Sequence, residues 1–215
     1  MFAMRRIALL SGVTILALIS GGSLLPGSQG SFAAHMLAHM GIVAIAAPLV
    51  AVGLGEPRIP RSAAALLFAP ATPLIASFVE FVVVWTWHAP MLRALARTSL
   101  AALLLEQATF FAAGLFLWLT SLGQSDGKPR AAPSGAFALL LTSVHMTLMG
   151  VLLALSPRPL YGTDPVVCFG NPVSAQQDQV LGGIIMLAIG AVVYLAGSLA
   201  LLARLLAGDR REAEG

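Results

Sequence analysis

The sequence has very little charge for its length. Only 10% of its 215 residues are Asp, Glu, Lys or Arg, whereas 58% are hydrophobic and the mean hydropathy is +0.90. Soluble domains have about a quarter of their residues charged, so this chain is too apolar to cover a water-facing surface. These proportions exclude a soluble globular enzyme and a disordered protein. They predict a protein that crosses the lipid bilayer several times.

Cysteine is almost absent as well. The single Cys168 excludes an internal disulfide, a Cys-x-x-Cys redox motif and a thiolate metal site. Hydrolase and nucleotide-binding motifs are also missing, because the chain has no Gly-x-Ser-x-Gly, His-Glu-x-x-His, P-loop or dinucleotide fingerprint. We therefore expect a protein that is not an enzyme.

Long apolar runs fill the chain and are separated by proline, glycine or charged residues. A bilayer is spanned by about 20 apolar residues, and six runs reach this length. They are Ile7–Leu25, Phe32–Leu54, Thr72–Met91, Leu100–Leu122, Gly135–Leu155 and Val180–Leu206. The shorter apolar stretch Ala63–Ala69 is interpreted as an interfacial turn of helix. The sequence thus predicts an all-α, polytopic membrane helix bundle of about six transmembrane helices.

Basic residues are distributed unevenly between the predicted loops. With the N-terminus in the cytoplasm, nine of the 12 basic residues lie on the cytoplasmic side and three on the outer side. This bias predicts that both termini are cytoplasmic. It also explains the formal charge of +3 without a nucleic acid partner.

The predicted organisation has three parts. We expect residues 1–30 to hold the first transmembrane helix, with a signal-like segment as the alternative. Residues 31–207 form the helix bundle, and residues 208–215 form a cytoplasmic tail.

All four histidines lie in predicted spans, and none lies in the cytoplasmic half of one. They are His35, His39, His88 and His145. Ionisable side chains are costly inside a membrane, so each is a candidate functional residue. A single interhelical hydrogen bond is the alternative role for any one of them. Their common depth predicts one shared polar site in the outer half of the bundle.

Methionines accompany the histidines at helical spacing. His35 and His39 are four residues apart on one helix face, where their imidazoles can reach a single ion. The candidate thioether ligands are Met36, Met40, Met149 and Met186. Imidazole together with thioether suits Cu(I), although methionine is also a common packing residue. The pattern therefore predicts copper binding.

Three acidic residues accompany the histidines in or at the predicted spans. Glu80, Glu106 and Asp178 could balance the charge of a bound cation or orient a ligand imidazole. For Glu106 the alternative is a hydrogen bond to a neighbouring helix.

Two other functions remain open on these residues. A haem-binding electron carrier needs two axial histidines from opposite sides of the porphyrin. His35 and His39 share one face and cannot both serve, but His88 with His145, or either with the first pair, could. A copper or proton-coupled transporter needs a polar path to the inner face, where the sequence places no ionisable residue inside a span.

Four motifs in order resemble the CtaG family of cytochrome c oxidase assembly proteins, named from the caa3-type oxidase. They are His35-Met36-Leu37-Ala38-His39-Met40 with Ala47-Pro48-Leu49; Trp85-Thr86-Trp87-His88-Ala89-Pro90; His145 with Pro159-Leu160-Tyr161; and Asp178-Gln179-Val180-Leu181-Gly182-Gly183-Ile184-Ile185-Met186. Together they run through about residues 32–206. At the fourth span, Glu106-Gln107 stands where the family often has Glu-His.

The resemblance implies a role in maturing a haem-copper oxidase. Carried over by position, the implied copper ligands are His35, His39, His88 and His145, with Met36, Met40 and Met186 as soft partners. Asp178 is implied as the polar residue that caps the last helix. The expected partners are cytochrome c oxidase subunits or periplasmic copper chaperones, and the expected location is a bacterial inner membrane.

Overall fold

The computed structural model describes residues 2–24, 30–55, 69–122 and 132–213. Its elements are α1 (Phe2–Ser23), α2 (Phe32–Met40), a π-helical turn (Gly41–Ala46), α3 (Ala47–Leu54), α4 (Thr72–Trp87), α5 (Pro90–Thr98), α6 (Leu100–Leu122), α7 (Ala132–Ala154), the strands β1 (Val166–Cys168) and β2 (Asn171–Val173), and α8 (Ala175–Ala213). In this part of the chain, five helical segments are long and apolar enough to cross a membrane, or six if the bent pair α4–α5 is one span. The predicted all-α membrane bundle is confirmed.

The third predicted span, Thr72–Met91, is wrong at its outer end. α4 stops at Trp87, and the chain bends by 73° into α5. The cause is Pro90, because a residue before proline avoids the helical region. Ala89 is accordingly extended, with φ −62° and ψ 129°. His88 therefore caps the end of α4 and does not lie inside a straight helix.

Other boundaries differ by a few residues. The first helix begins at Phe2, the fifth begins at Ala132, and the last runs over 39 residues to Ala213. The predicted tail is therefore a continuation of α8 over most of its length. Residues 63–68 of the predicted interfacial turn lie outside the described residues. Several of the basic residues from which the membrane orientation is predicted also lie outside the described residues. The cytoplasmic placement of both termini therefore stays a prediction.

The second span contains a π-helical turn because of Pro48. Proline has no N–H and crowds the carbonyl group four residues earlier, which is that of Ala44. Within the turn, the Ala47 N–H donates to the carbonyl oxygen of Ile42, five residues back. The Val43 carbonyl would need the missing N–H of Pro48, and it accepts a hydrogen bond from Trp118 Nε1 at 3.1 Å instead. α6 thus stabilises the irregular turn of its neighbour.

Glycines allow α7 and α8 to pack with their backbones in contact. A Cβ atom added at Gly150 would lie 2.7 Å from the Gly183 carbonyl oxygen, and one added at Gly183 would lie 2.7 Å from that of Gly150. Such close approach is typical of small residues at membrane helix interfaces. By contrast, α1 packs on α3 through one side only, and 6% of its apolar window is buried.

A hairpin covers one end of the bundle. β1 and β2 pair antiparallel, and the two turn residues Phe169 and Gly170 have φ of 48° and 83°, which is typical of a tight hairpin turn. Cys168 is buried at this turn, and burial raises the pKa of its thiol.

We call the end of the bundle that carries Ser31, His88 and residues 155–174 the outer end, following the orientation predicted from the charges.

Candidate metal-binding site

Three of the four histidines converge at the outer end. The ring centroids of His39 and His88 are 5.5 Å apart, and His35 lies one helical turn from His39 on α2. All three side chains are buried, with between 1% and 9% of each residue exposed. The site therefore joins α2 with the end of α4.

The His88 imidazole is held in one tautomer. Its Nδ1 lies 2.7 Å from the Val84 carbonyl oxygen, which can only accept a hydrogen bond. Nδ1 therefore carries the proton, and Nε2 presents a lone pair. That Nε2 lies 3.3 Å from the Sδ atom of Met36. An imidazole nitrogen and a soft thioether sulfur, both electron-pair donors, thus face each other in a buried space.

His39 has no hydrogen-bond partner on either ring nitrogen in the described structure, although only 1% of the residue is exposed. Its ring packs edge-on against Phe110, with centroids 4.0 Å apart. A buried polar group without a partner is costly, and such groups call for an explanation. A bound ligand would provide one.

A buried ion pair lies beside His35. The Glu106 carboxylate lies 3.3 Å from His35 Nε2 and 4.0 Å from Arg93 Nη1. Arg93 reaches this position because the bend after α4 carries α5 across the outer end. Glu106 thus lies between an imidazole and a guanidinium group.

Two aromatic rings cover the site. Phe32 and Tyr161 stack with centroids 4.2 Å apart, and the Tyr161 hydroxyl donates to the His88 carbonyl oxygen at 2.9 Å. Gly182 makes room for Phe32, since a Cβ atom there would overlap the phenyl ring. Burial holds the pKa of Tyr161 above its ordinary value, so the phenol remains a donor. A cavity of about 90 Å³ borders this pair and is also lined by Arg93 and Arg97.

Asp178 caps the second helix as well as lying in the first turn of its own. Its carboxylate accepts hydrogen bonds from the Ser31 hydroxyl at 2.7 Å and from the Phe32 and Ala33 amides at 2.5 and 3.2 Å. A carboxylate is stabilising at a helix N-terminus. Asp178 therefore positions α2, and no described hydrogen bond or ion pair joins it to a histidine.

Of the predicted thioether ligands, the structure places Met36 against an imidazole. Met40 is fully buried and lies near Gly190, where Met146 also packs. Met149 and Met186 are buried in the core, and no contact of theirs with a histidine is described.

His145 and Glu80 lie apart from this cluster. His145 packs against Phe81 with ring centroids 5.5 Å apart, and neither ring nitrogen has a hydrogen-bond partner among the described residues. Glu80 accepts a hydrogen bond from Tyr194 at 2.7 Å. No described hydrogen bond, ion pair or ring contact joins His145 or Glu80 to the other three histidines.

No group of three or more His, Cys, Asp or Glu side chains that could hold a metal ion occurs in the described residues. A metal site at the outer end therefore has to include another ligand type, and the Met36 thioether is in place. The candidate pair is His88 with Met36, and His39 is the imidazole in ring contact with His88.

The sequence reasoning missed three residues of this site. Arg93 is one of the three basic residues that the sequence assigns to the outer side, yet 2% of it is exposed. Tyr161 and Phe110 were not assigned a role, although both contact site histidines. For Arg93 the sequence held a signal, because it lies one turn after Pro90 on a short and strongly amphipathic helix that also carries Arg97.

Comparison with known proteins gives one family match, and it covers nearly the whole chain. Residues 2–207 match the family model described as cytochrome c oxidase caa3 assembly factor, Caa3_CtaG. No curated protein and no solved structure matches the chain.

Proposed function

The chain belongs to the Caa3_CtaG family of cytochrome c oxidase caa3 assembly factors, and on that premise we propose that its outer histidine site binds Cu(I) as cargo for an assembling oxidase. The family role implies association with cytochrome c oxidase. The proposal also includes the binding of copper, the direction in which copper is transferred, and a location in the bacterial inner membrane.

The observation that carries the proposal is the pair His88 Nε2 and Met36 Sδ, 3.3 Å apart. Metal–nitrogen and metal–sulfur bonds of about 2.0 and 2.3 Å at a tetrahedral ion place the two ligand atoms about 3.5 Å apart. The hydrogen bond to Val84 gives His88 the tautomer that a ligand needs. Imidazole and thioether together favour Cu(I) over Mg²⁺ or Ca²⁺.

His39 and Glu106 support the same proposal. The unpartnered nitrogens of His39 are available as a further ligand on the same side of α2 as His35. Glu106 supplies negative charge beside His35, which offsets part of the charge of an arriving cation. Arg93 shares this carboxylate, so the pocket is not left with an uncompensated acid.

The proposed mechanism is ligand exchange. Phe32 and Tyr161 exclude water from the histidines, and movement of this pair would open the site toward the outer end. Copper then passes to ligands of an oxidase subunit or of a periplasmic copper chaperone. No covalent bond of a substrate is made or broken, so the proposed role is not enzymatic.

The haem alternative is less well supported. The cavity beside the histidine cluster measures about 90 Å³, whereas sites for drug-sized ligands measure about 300–1,000 Å³. A larger groove of about 530 Å³ lies between α1 and α2, but among the described residues that line it only His35 is a histidine. A haem held by two axial histidines needs one from each side.

The test is anaerobic loading of the purified full-length protein with Cu(I), followed by metal analysis and X-ray absorption spectroscopy. We expect stoichiometric copper with nitrogen and sulfur neighbours, lost in His88→Ala and losing its sulfur neighbour in Met36→Leu. Met91→Leu is the matched control, because Met91 is 79% exposed. Copper at background level in the intact protein, or sulfur scattering unchanged in Met36→Leu, would overturn the proposal.

A cellular test addresses the assembly role. A deletion strain should lose caa3-type oxidase activity and regain it with added copper. The His88→Ala variant should behave like the deletion if the protein is present at its normal level. An oxidase that matures normally in the deletion strain would contradict the role.

A further inference from the structure

A second polar cluster lies deeper in the bundle, around Glu80. This residue is 0% exposed, its Oε1 accepts a hydrogen bond from the Tyr194 hydroxyl at 2.7 Å, and its Oε2 has no hydrogen-bond partner in the described structure. Glu80 precedes His88 by eight residues, or about 12 Å along α4. It therefore lies near the middle of the bundle, separate from the histidine site.

No described cationic side chain lies within ion-pair distance of Glu80. Three helices pack against α4, and α8 reaches it through Tyr194. Their described titratable groups are Arg93 and Arg97 on α5, Glu106 on α6, His145 on α7, and Asp178, Tyr194 and Arg204 on α8. Asp178 caps α2, and Arg204 is exposed and lies ten residues beyond Tyr194. Arg93 lies beside Glu106, Arg97 donates to the Tyr161 carbonyl oxygen, and His145 packs on Phe81. Tyr194 is thus the member of this set that contacts the carboxyl group.

An isolated carboxylate is very costly in a membrane interior, and ionisable residues found there mark ion sites or proton relays. A proton is the smallest cation that removes this cost. The carboxyl group needs no further ligands to hold it, since Tyr194 already donates to its other oxygen.

A chain of hydroxyl groups leads from Glu80 toward the inner end. On α7, the Thr142 hydroxyl oxygen Oγ1 lies 2.8 Å from the Ser77 hydroxyl oxygen Oγ on α4. Ser77 lies one turn inward from Glu80 on α4 and five residues, or about 7 Å, from the start of that helix at Thr72. Hydroxyl groups both donate and accept, so each can take up one proton and release another.

We propose that Glu80 is a proton-binding site of the membrane interior, which exchanges its proton with the inner aqueous phase through Thr142 and Ser77. A proton from water passes along the two hydroxyl groups and binds to the carboxylate oxygen, and release follows the same steps in reverse. No electron transfer and no other reactant is involved. The site is independent of copper binding at the outer end.

The experiment is infrared spectroscopy of the full-length protein in lipid nanodiscs, in H₂O and after transfer to D₂O. We expect a carbonyl band of a protonated carboxyl group at neutral pH that is absent from Glu80→Gln and remains in Glu106→Gln. The band should move to lower wavenumber in D₂O as the proton exchanges. The movement should be slower in Thr142→Val than in the control Thr147→Val on the same helix.

Three results would overturn the proposal: no band that depends on Glu80, a band that does not change in D₂O, or equal exchange in the two threonine variants. If Glu80→Gln does not fold, Tyr194→Phe replaces it. Loss of the phenol hydrogen bond should then raise the wavenumber of the same band, and an unchanged band would count against Glu80 as its source.

Discussion

Asp178 at the start of α8 accepts a hydrogen bond from Ser31 at the start of α2, 2.7 Å away and 147 positions distant in the sequence. The same carboxylate accepts from the Phe32 and Ala33 amides. The helix that carries His35 and His39 is therefore fixed at its beginning by the helix that ends the bundle.

Removing this cap should destabilise the protein. Because hydrogen bonds to a buried charged group contribute about 1.5–3 kcal/mol, we expect Asp178→Ala to lower the free energy of unfolding by about 3 kcal/mol. Thermal unfolding of the purified protein measures this effect. Asp164→Ala, at an exposed acidic residue of the same outer end, should unfold like the wild type. Equal stability of the two variants would show that the cap is dispensable.

The aromatic pair should control access to bound copper. Tyr161→Ala removes the ring that stacks on Phe32, so a water-soluble Cu(I) chelator should extract the metal faster than from the wild type. Tyr161→Phe keeps the ring and loses the hydrogen bond to His88, so we expect a smaller increase. Stopped-flow absorbance of the chelate gives the rates. Identical rates for all three proteins would exclude a covering role for the pair.

The ion pair of Arg93 and Glu106 should be energetically coupled. Either substitution alone, Arg93→Ala or Glu106→Gln, leaves a buried group with less compensation, which is the costly situation. The double variant should be more stable than the sum of the single effects predicts, by about 1–3 kcal/mol. A double-mutant cycle on unfolding free energies measures this coupling. The cycle with Arg97→Ala should be close to additive, because Arg97 bonds to Tyr161.

The glycine contact between α7 and α8 should tolerate no side chain. A Cβ atom in Gly150→Ala meets a backbone oxygen at 2.7 Å, which cannot move as a flexible side chain would. We expect a loss of about 2 kcal/mol in unfolding free energy, within the range for overpacked cores. Gly21→Ala is the control, since nothing lies within 4 Å of its added Cβ. A Gly150→Ala protein as stable as this control would contradict the packing.

Hydropathy and breaker residues predicted the helices well because bilayer thickness constrains span length directly. The fourth span, Leu100–Leu122, agrees at both ends. The third predicted span, Thr72–Met91, does not agree at its outer end, because a hydropathy average extends across the bend that Pro90 introduces. An apolar window does not report helix direction, and α5 is apolar on one side only.

The candidate site was predicted in part for a similar reason. Spacing placed His35 and His39 on one face, since that relation is local to a helix. Depth along the bilayer then grouped His145 with them, but depth does not determine which way a helix is rotated. In the structure His145 packs against Phe81. The same limit hid Arg93, whose burial depends on the bend after Trp87.

The π-helical turn at Gly41–Ala46 also determines how α2 is rotated about the helix axis relative to the segment that begins at Pro48. Each residue of an α-helix advances about 100° around its axis, so one residue more or fewer in this turn would rotate the preceding segment by that angle relative to Pro48. His35 and His39 would then be directed away from His88, although no residue in contact with the histidines had changed. The number of residues in this turn therefore helps to determine the direction in which both imidazoles point. A deletion here would turn the two side chains away from His88 together.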